Sequence, residues 1–265
     1  MSDPDILLND GKSPVRTLTL NRPNARNALS LSLLRDLEGA IQAANEEGGV
    51  RALIIAANGS AFSAGHDLRE MTELREEKDA GKAAFQAIFD ACASLMTTIM
   101  TCPIPVIAQV QGMASAAGCQ LVATCDLAVA STASNFATPG VNIGLFCSTP
   151  MVPLSRNVPR KAAMEMLLTG DAIDGHEALR IGLVNRVVEP EELVQATREL
   201  ANHIVQKPGP VVRIGKEAFY RQLNMSVTDA YNFASQVMTE NMLKEEAKEG
   251  IGAFTEKRAP KWPDH

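Results

Sequence analysis

Twice in this chain a short apolar run opens directly into a stretch of very small residues, and that pairing limits the fold most. Residues 52–56 (ALIIA) lead into 58–67 (NGSAFSAGHD), and 105–110 (PVIAQV) into 111–120 (QGMASAAGCQ). A continuous apolar run of this length reads as a strand covered on both faces. The small residues that follow let backbone come close to another segment or to a ligand. Strands buried on both sides need helices on both sides, so the pattern predicts an α/β fold.

The rest of the chain fits that frame. Residues 15–20 (VRTLTL) alternate with the period of a strand, and 21–27 (NRPNARN) read as a loop. Ser30 is placed to cap a helix running to about residue 44, with Leu31, Leu34, Leu37, Ala40, Ile41 and Ala44 on one face. Residues 81–100 repeat apolar side chains at three and four until Pro103 stops them, and 127–130 read as a short strand. Helical periods occupy 160–168, 175–181, 191–206, 210–222, 226–243 and 244–257. Met164, Met166, Leu167 and Leu168 read as core, and Asp126 as structural. No low-complexity linker divides the α/β front from the helical rear. The division expected is a core over 1–200 and a helical oligomerisation region over 201–265.

Composition excludes several classes. At 46% hydrophobic and 21% charged, the 265 residues sit in the globular range, which rules out a long disordered chain. The formal charge of −6 comes without a basic stripe, and aromatics are only 4%, which argues against nucleic acid as partner. No run approaches the roughly 20 apolar residues of a membrane helix, so no membrane span is expected. The five cysteines form no CxxC and follow no zinc spacing. No metal is expected, and a reducing compartment suits free thiols. The acidic start lacks a basic n-region before an apolar one, so a cytoplasmic location is expected.

At the two small-residue loops a chemistry suggests itself. If 115–124 is a helix, its first turn exposes unsatisfied N–H groups at the positive dipole end. Two such loops converging at strand ends form a cradle for an oxygen that gains negative charge. Tight helix–sheet packing is the commoner use of small residues there.

Five segments in order then carry a resemblance: LNRPNARNAL, SAFSAGHDLREM, IPVIAQVQGMASAAGCQLVATCDLAVAS, LLTGDAIDGHEALRIGLVNRVV and EGIGAFTEKRAPKW. Together they span about residues 15–262 and resemble the enoyl-CoA hydratase/isomerase (crotonase) superfamily. The resemblance implies a crotonase-like ββα spiral core with a C-terminal helical trimerisation region, assembling as a homotrimer or a dimer of trimers. It implies an acyl-CoA thioester as partner, coenzyme A entering as part of the substrate and no separate cofactor. It implies an oxyanion hole from the backbone N–H groups of Ala64 and Ala117. Asn24, Ala25 and Arg26 match the loop that borders the CoA chain, with Gly65, His66 and Asp67 beside it. Phe254 and Lys257 match C-terminal residues that reach a CoA, often a neighbouring subunit's.

One departure bears on mechanism. Family hydratases use two glutamates, one to activate water and one to deliver a proton at Cα. At those positions this chain has Gln120 and Gly140. An amide cannot accept water's proton at neutral pH, and glycine offers nothing. Each acid–base group is worth about 100- to 10,000-fold, so hydration is expected to be weak or absent. The alternatives are thioester hydrolysis, with Cys147 or Ser148 as nucleophile and His66 as base, or a non-catalytic acyl-CoA sensor. A plainer reading of the same residues has His66 facing the channel or solvent, Asp67 capping a short helix and Cys147 packing. His176, His203, His265 and Glu165 are assigned no role.

Overall fold

The computed structural model describes residues 6–10 and 14–263. Residues 1–5, part of the segment on which the leader reading rests, and His265 lie outside the described residues. A six-stranded sheet takes the order β1 (Leu7–Asn9), β2 (Val15–Leu20), β3 (Ala52–Ala57), β5 (Val106–Val110), β7 (Leu127–Ser131) and β10 (Arg186–Val188). From β2 onward its strands are parallel, and β1 is antiparallel to β2. A smaller sheet orders β4 (Ala61–Ser63), β6 (Met113–Ser115), β8 (Asn135–Ala137) and β9 (Ile173–Asp174), with only β9 antiparallel. Each turn of chain gives one strand to each sheet: β3 then β4, β5 then β6, β7 then β8. This is the spiral of repeated β–β–α turns that the resemblance implies.

The apolar runs are continuous because both sheet faces are covered. Leu53 and Ile55 point into the main core with α1 (Leu31–Glu47) and α3 (Lys82–Thr101). Ala52, Ile54 and Ala56 point the other way and pack under α8 (Leu193–Val205) with Leu193 and Ala201. Ser30 caps α1, its hydroxyl accepting from the Leu33 N–H at 3.3 Å. By length and apolarity α3 could cross a bilayer. Its Ile88, Cys92, Leu95, Met96 and Ile99 stripe instead lies in the core.

The small-residue segments, read as loops, each contain a three-residue strand, β4 and β6. Strands so short carry no visible period. Helices α2 (Leu68–Glu73), α4 (Ala117–Thr124), α5 (Met151–Asn157), α6 (Arg160–Thr169) and α7 (Gly175–Arg180) decorate the spiral. In α6, Met166 and Leu167 are buried, but Met164 and Leu168 face outward, against their reading as core. The rear is α9 (Gly209–Gln222), α10 (Val227–Met242) and α11 (Glu245–Thr255). Helix α9 is tied to the spiral by a buried network. Lys216 Nζ donates to Asp126 at 2.6 Å and to the carbonyls of Ile99 and Ile104, and the Tyr220 hydroxyl donates to Asp126 at 2.9 Å. The Val106 N–H completes the carboxylate's set at 2.7 Å.

Candidate functional site

The two small-residue loops converge. Gly65 has φ of +91°, and a Cβ built on it would stand 3.3 Å from the Ala117 nitrogen and 3.0 Å from the Ser115 carbonyl oxygen. Only glycine gives both the backbone angle and the close approach. Ala117 opens α4, so its N–H is one of the first-turn donors without a carbonyl inside the helix. Ala116 precedes it at a φ of +48° and donates to the Ala137 carbonyl at 2.9 Å, anchoring the turn to β8.

The Ala64 N–H is taken up inside the protein. That N–H already donates to the Arg26 carbonyl at 2.9 Å. Two residues on, the parallel bridge between Leu29 and His66 uses the Gly65 carbonyl and the Asp67 N–H. The His66 N–H points away from that bridge and donates to no carbonyl among the described residues. The bridge fixes which N–H faces outward, and sequence spacing alone does not.

The loop bearing Asn24, Ala25 and Arg26 is held against this mouth. It is a short 3-10 turn over Pro23–Ala25 that ends on Arg26 and Asn27, both with φ of 51°. Asn24 and Arg26 are exposed. Asn27, which sequence reasoning passed over, is fully buried and organises the loop. Its Nδ2 donates to the Asn58 and Ala61 carbonyls, each at 2.8 Å, and its Oδ1 accepts from the Arg22 N–H. Arg22 pairs with Asp67 at 2.9 Å, and Asp67 also accepts from the Arg69 and Glu70 N–H groups as the cap of α2. Burial alone raises the Asp67 carboxyl, but Arg22 and the cap N–H groups outweigh it and hold the group below its ordinary value.

Beyond the mouth, Gln120 is buried on the first turn of α4, and its Oε1 accepts from the Cys92 thiol at 3.8 Å. Its amide nitrogen donates to no protein group among the described residues. Gly140 is buried, and its N–H donates to the Cys147 sulfur at 3.3 Å. A Cβ there would meet that sulfur at 2.9 Å and the Leu145 carbonyl oxygen at 2.7 Å. The segment 145–147 therefore occupies the space in which a side chain at position 140 begins.

The thiols near these positions are weakly acidic. Burial pushes Cys92 and Cys119 up to about 12. It raises Cys147 too, and the Gly140 N–H offsets only part of that. The Ser148 hydroxyl donates to the Phe146 carbonyl at 3.3 Å in a local turn. The His66 ring bonds neither: both its nitrogens are shielded from solvent without a hydrogen bond among the described residues. The ring lies edge-on to Phe89 at 5.4 Å. Burial lowers its pKa, a trend the nearby Leu29 carbonyl opposes without completing a bond. No nucleophile–base pair is assembled here.

Phe254 and Lys257 are not brought to these loops within one chain. Both are exposed at the end of α11, Lys257 at a φ of 55°. Among the described residues no hydrogen bond, ion pair or ring contact joins them to the mouth.

Comparison with known proteins agrees with this fold. A sequence model of the enoyl-CoA hydratase/isomerase family matches residues 10–265. The chain is similar to the mitochondrial enoyl-CoA hydratase domain-containing protein 3 of Xenopus laevis, 50% identical over 94% of this chain and 83% of that one. The human protein of the same name is 47% identical over 94% of this chain and 80% of that one. Among solved structures, an enoyl-CoA hydratase of Mycobacterium smegmatis superposes with a TM-score of 0.93 at 48% identity, covering 98% of this chain and 99% of that one. Human enoyl coenzyme A hydratase domain-containing protein 3 superposes with a TM-score of 0.92 at 44% identity, covering 97% and 100%. With the fold, the ordered motifs and the family match in agreement, the chain belongs to the enoyl-CoA hydratase/isomerase family.

Proposed function

We propose that this chain binds an acyl-coenzyme A and holds its thioester oxygen on the backbone N–H groups of His66 and Ala117, with hydration of a conjugated enoyl thioester slow or absent. The observation that carries the reading is the closure of Gly65 onto Ala117, which sets two uncommitted N–H groups at one mouth. One sits at the positive end of α4, where a developing oxyanion is favoured. Such a donor is worth about 100- to 1,000-fold when charge grows on the oxygen.

Hydration also needs a base for water and an acid for Cα. Gln120 supplies an amide, and position 140 supplies neither a side chain nor room for one. The buried thiols stay protonated at neutral pH and do not substitute. The unassembled pair of Cys147 or Ser148 with His66 weighs against thioester hydrolysis and favours the second reading, a binder of acyl-CoA without turnover.

On this reading Asn24, Ala25 and Arg26 border the CoA chain, and CoA enters only as part of the ligand. The exposed Phe254 and Lys257 act on a neighbouring subunit's CoA in a homotrimer or dimer of trimers. Val227, Tyr231, Met238 and Met242 support that assembly: exposed on α10, they fall within about 60° of one another at about 100° per residue. The cytoplasmic expectation gains no support from the relatives named mitochondrial. A reducing compartment of either kind suits the five free thiols.

Calorimetry with butyryl-CoA and a hydration assay with crotonyl-CoA test the reading. The expected result is saturable binding with hydration at least about 100-fold below an ordinary family hydratase. Absence of binding by any acyl-CoA overturns the first half, and a rate within about tenfold of such a hydratase overturns the second.

A further inference from the structure

The nearby Leu29 carbonyl apart, the His66 imidazole has no polar group of the described residues to bond. Its backbone N–H is assigned to the thioester oxygen, but both ring nitrogens are buried and unbonded among the described residues. Buried polar atoms in native proteins nearly always have a partner, and a bound ligand or an ordered water supplies one where the chain does not. The ring is not loosely placed, since it packs edge-on against Phe89 of α3.

That contact locates the ring relative to Gln120. Phe89 and Cys92 are three residues apart on α3, and residues so spaced share one helix face about 5–6 Å apart at Cβ. Phe89 holds the imidazole and Cys92 reaches the Gln120 carboxamide. Two neutral hydrogen-bonding groups therefore lie against one face of α3, one of them the side chain of the residue whose N–H is left free at the mouth. A plain hydrocarbon chain leaves the imidazole nitrogens and the Gln120 amide nitrogen unmet. Arg22, whose side chain is bonded into this loop, is already paired with Asp67, so a carboxylate at the imidazole does not gain that cation.

Resting on the acyl-CoA reading above, we infer that the His66 side chain is a specificity determinant that binds a neutral oxygen, a hydroxyl or keto group, carried on the acyl chain of the thioester. A hydroxyl suits a neutral imidazole well, since it accepts from the ring N–H or donates to the other nitrogen. Gln120 then holds the same substituent or a water beside it.

The test compares four-carbon thioesters by calorimetry: butyryl-CoA, 3-hydroxybutyryl-CoA, 4-hydroxybutyryl-CoA, acetoacetyl-CoA and succinyl-CoA. In the native protein at least one hydroxy or keto ester binds about five- to tenfold tighter than butyryl-CoA, as one neutral hydrogen bond provides. In His66→Phe that ratio falls to near one. As a reading free of mutation, the side-chain nitrogen resonances of His66 shift with the preferred ester and not with butyryl-CoA. Equal affinities for all neutral esters, a preference surviving in His66→Phe, silent His66 resonances, or succinyl-CoA binding tightest each overturn the inference. If no ester binds at all, the acyl-CoA reading itself has failed. If all bind alike, only the role given to the His66 side chain has.

Discussion

The N–H of Gly140 donates to the thiol of Cys147 at 3.3 Å, and a Cβ on that glycine would stand 2.9 Å from the same sulfur. The space in which a side chain at position 140 would begin is thus closed by the fold of its own loop, and on the proposed reading that is where a second carboxylate would stand. Gly140→Ala forces the Leu145 carbonyl or Cys147 to move and costs about 1–3 kcal/mol, lowering the thermal midpoint by several degrees. Gln120→Glu combined with Gly140→Glu does not restore hydration of crotonyl-CoA, because the second carboxylate cannot be seated without displacing 145–147. A folded double variant whose hydration rate rises about 100-fold refutes this.

Gly65 is the residue on which the mouth depends. Gly65→Ala places a methyl 3.0 Å from the Ser115 carbonyl oxygen and 3.3 Å from the Ala117 nitrogen, at a positive φ. Affinity for butyryl-CoA should fall by tenfold or more, with about 1–3 kcal/mol of stability lost to backbone strain. Gly48→Ala is the control. Its φ of +71° and ψ of 170° bring strain of about 1–3 kcal/mol, but nothing lies within 4 Å of the added methyl, so binding is unchanged. Equal binding by the two variants contradicts the assignment of the mouth.

Two side chains at the site make stability depend on pH, in separate windows. Burial lowers the His66 pKa below its ordinary 6.5, so the unfolded chain takes up the proton first. That contribution is complete above about pH 6.5 and is lost as pH falls through the lower native value. The Asp67 carboxyl is held below its ordinary 3.8, so its contribution is complete above about pH 4 and lost in stronger acid. Denaturant melts from pH 8 downward should show both declines. His66→Phe flattens the upper one and Asp67→Asn the lower one. An upper decline that persists in His66→Phe assigns it to another group.

Lys216 and Tyr220 fasten the helical rear to the spiral through Asp126. Lys216→Met leaves that carboxylate buried with only the Val106 and Tyr220 donors, and costs about 3–5 kcal/mol. Tyr220→Phe removes one hydrogen bond to a charged group and costs about 1.5–3 kcal/mol. Chemical unfolding midpoints should rank native, Tyr220→Phe and Lys216→Met in that order, and the reverse order of the two variants sinks the argument.

The exposed stripe on α10 predicts assembly. Light scattering should give a trimer or hexamer, and Tyr231→Glu with Met238→Glu should give monomers that keep native helical content. Acyl-CoA affinity falls with dissociation if Phe254 and Lys257 serve a neighbour. A native chain that runs as a monomer removes the proposal.

Much of this was legible in the chain. The strand at 52–57 announces burial on both faces by its unbroken apolar run, and the Ser30 cap and Pro103 stop bracket helices with strong 3.6-residue periods. The strands at 61–63 and 113–115 left no such trace, because three residues are too few to display an alternation. Met164 and Leu168 misled by hydrophobicity alone: on α6 their neighbours Met166 and Leu167 fill the inward arc. Asn27 gave no signal, since a buried asparagine bonding three backbone groups looks in sequence like any loop residue.

The residue types themselves settled that positions 120 and 140 carry no carboxylate, and the ordered motifs settled the family, because identity and order are properties of the chain. Which backbone N–H groups of this loop are taken up inside the protein was decided only in three dimensions. A backbone donor has no side chain to advertise it, and the Leu29–His66 bridge commits Asp67 while an Arg26 carbonyl 38 positions away in the chain commits Ala64. The same holds for the closed space at Gly140 and the unmet His66 ring. Both are facts about what lies opposite a residue, and packing alone supplies the opposite side.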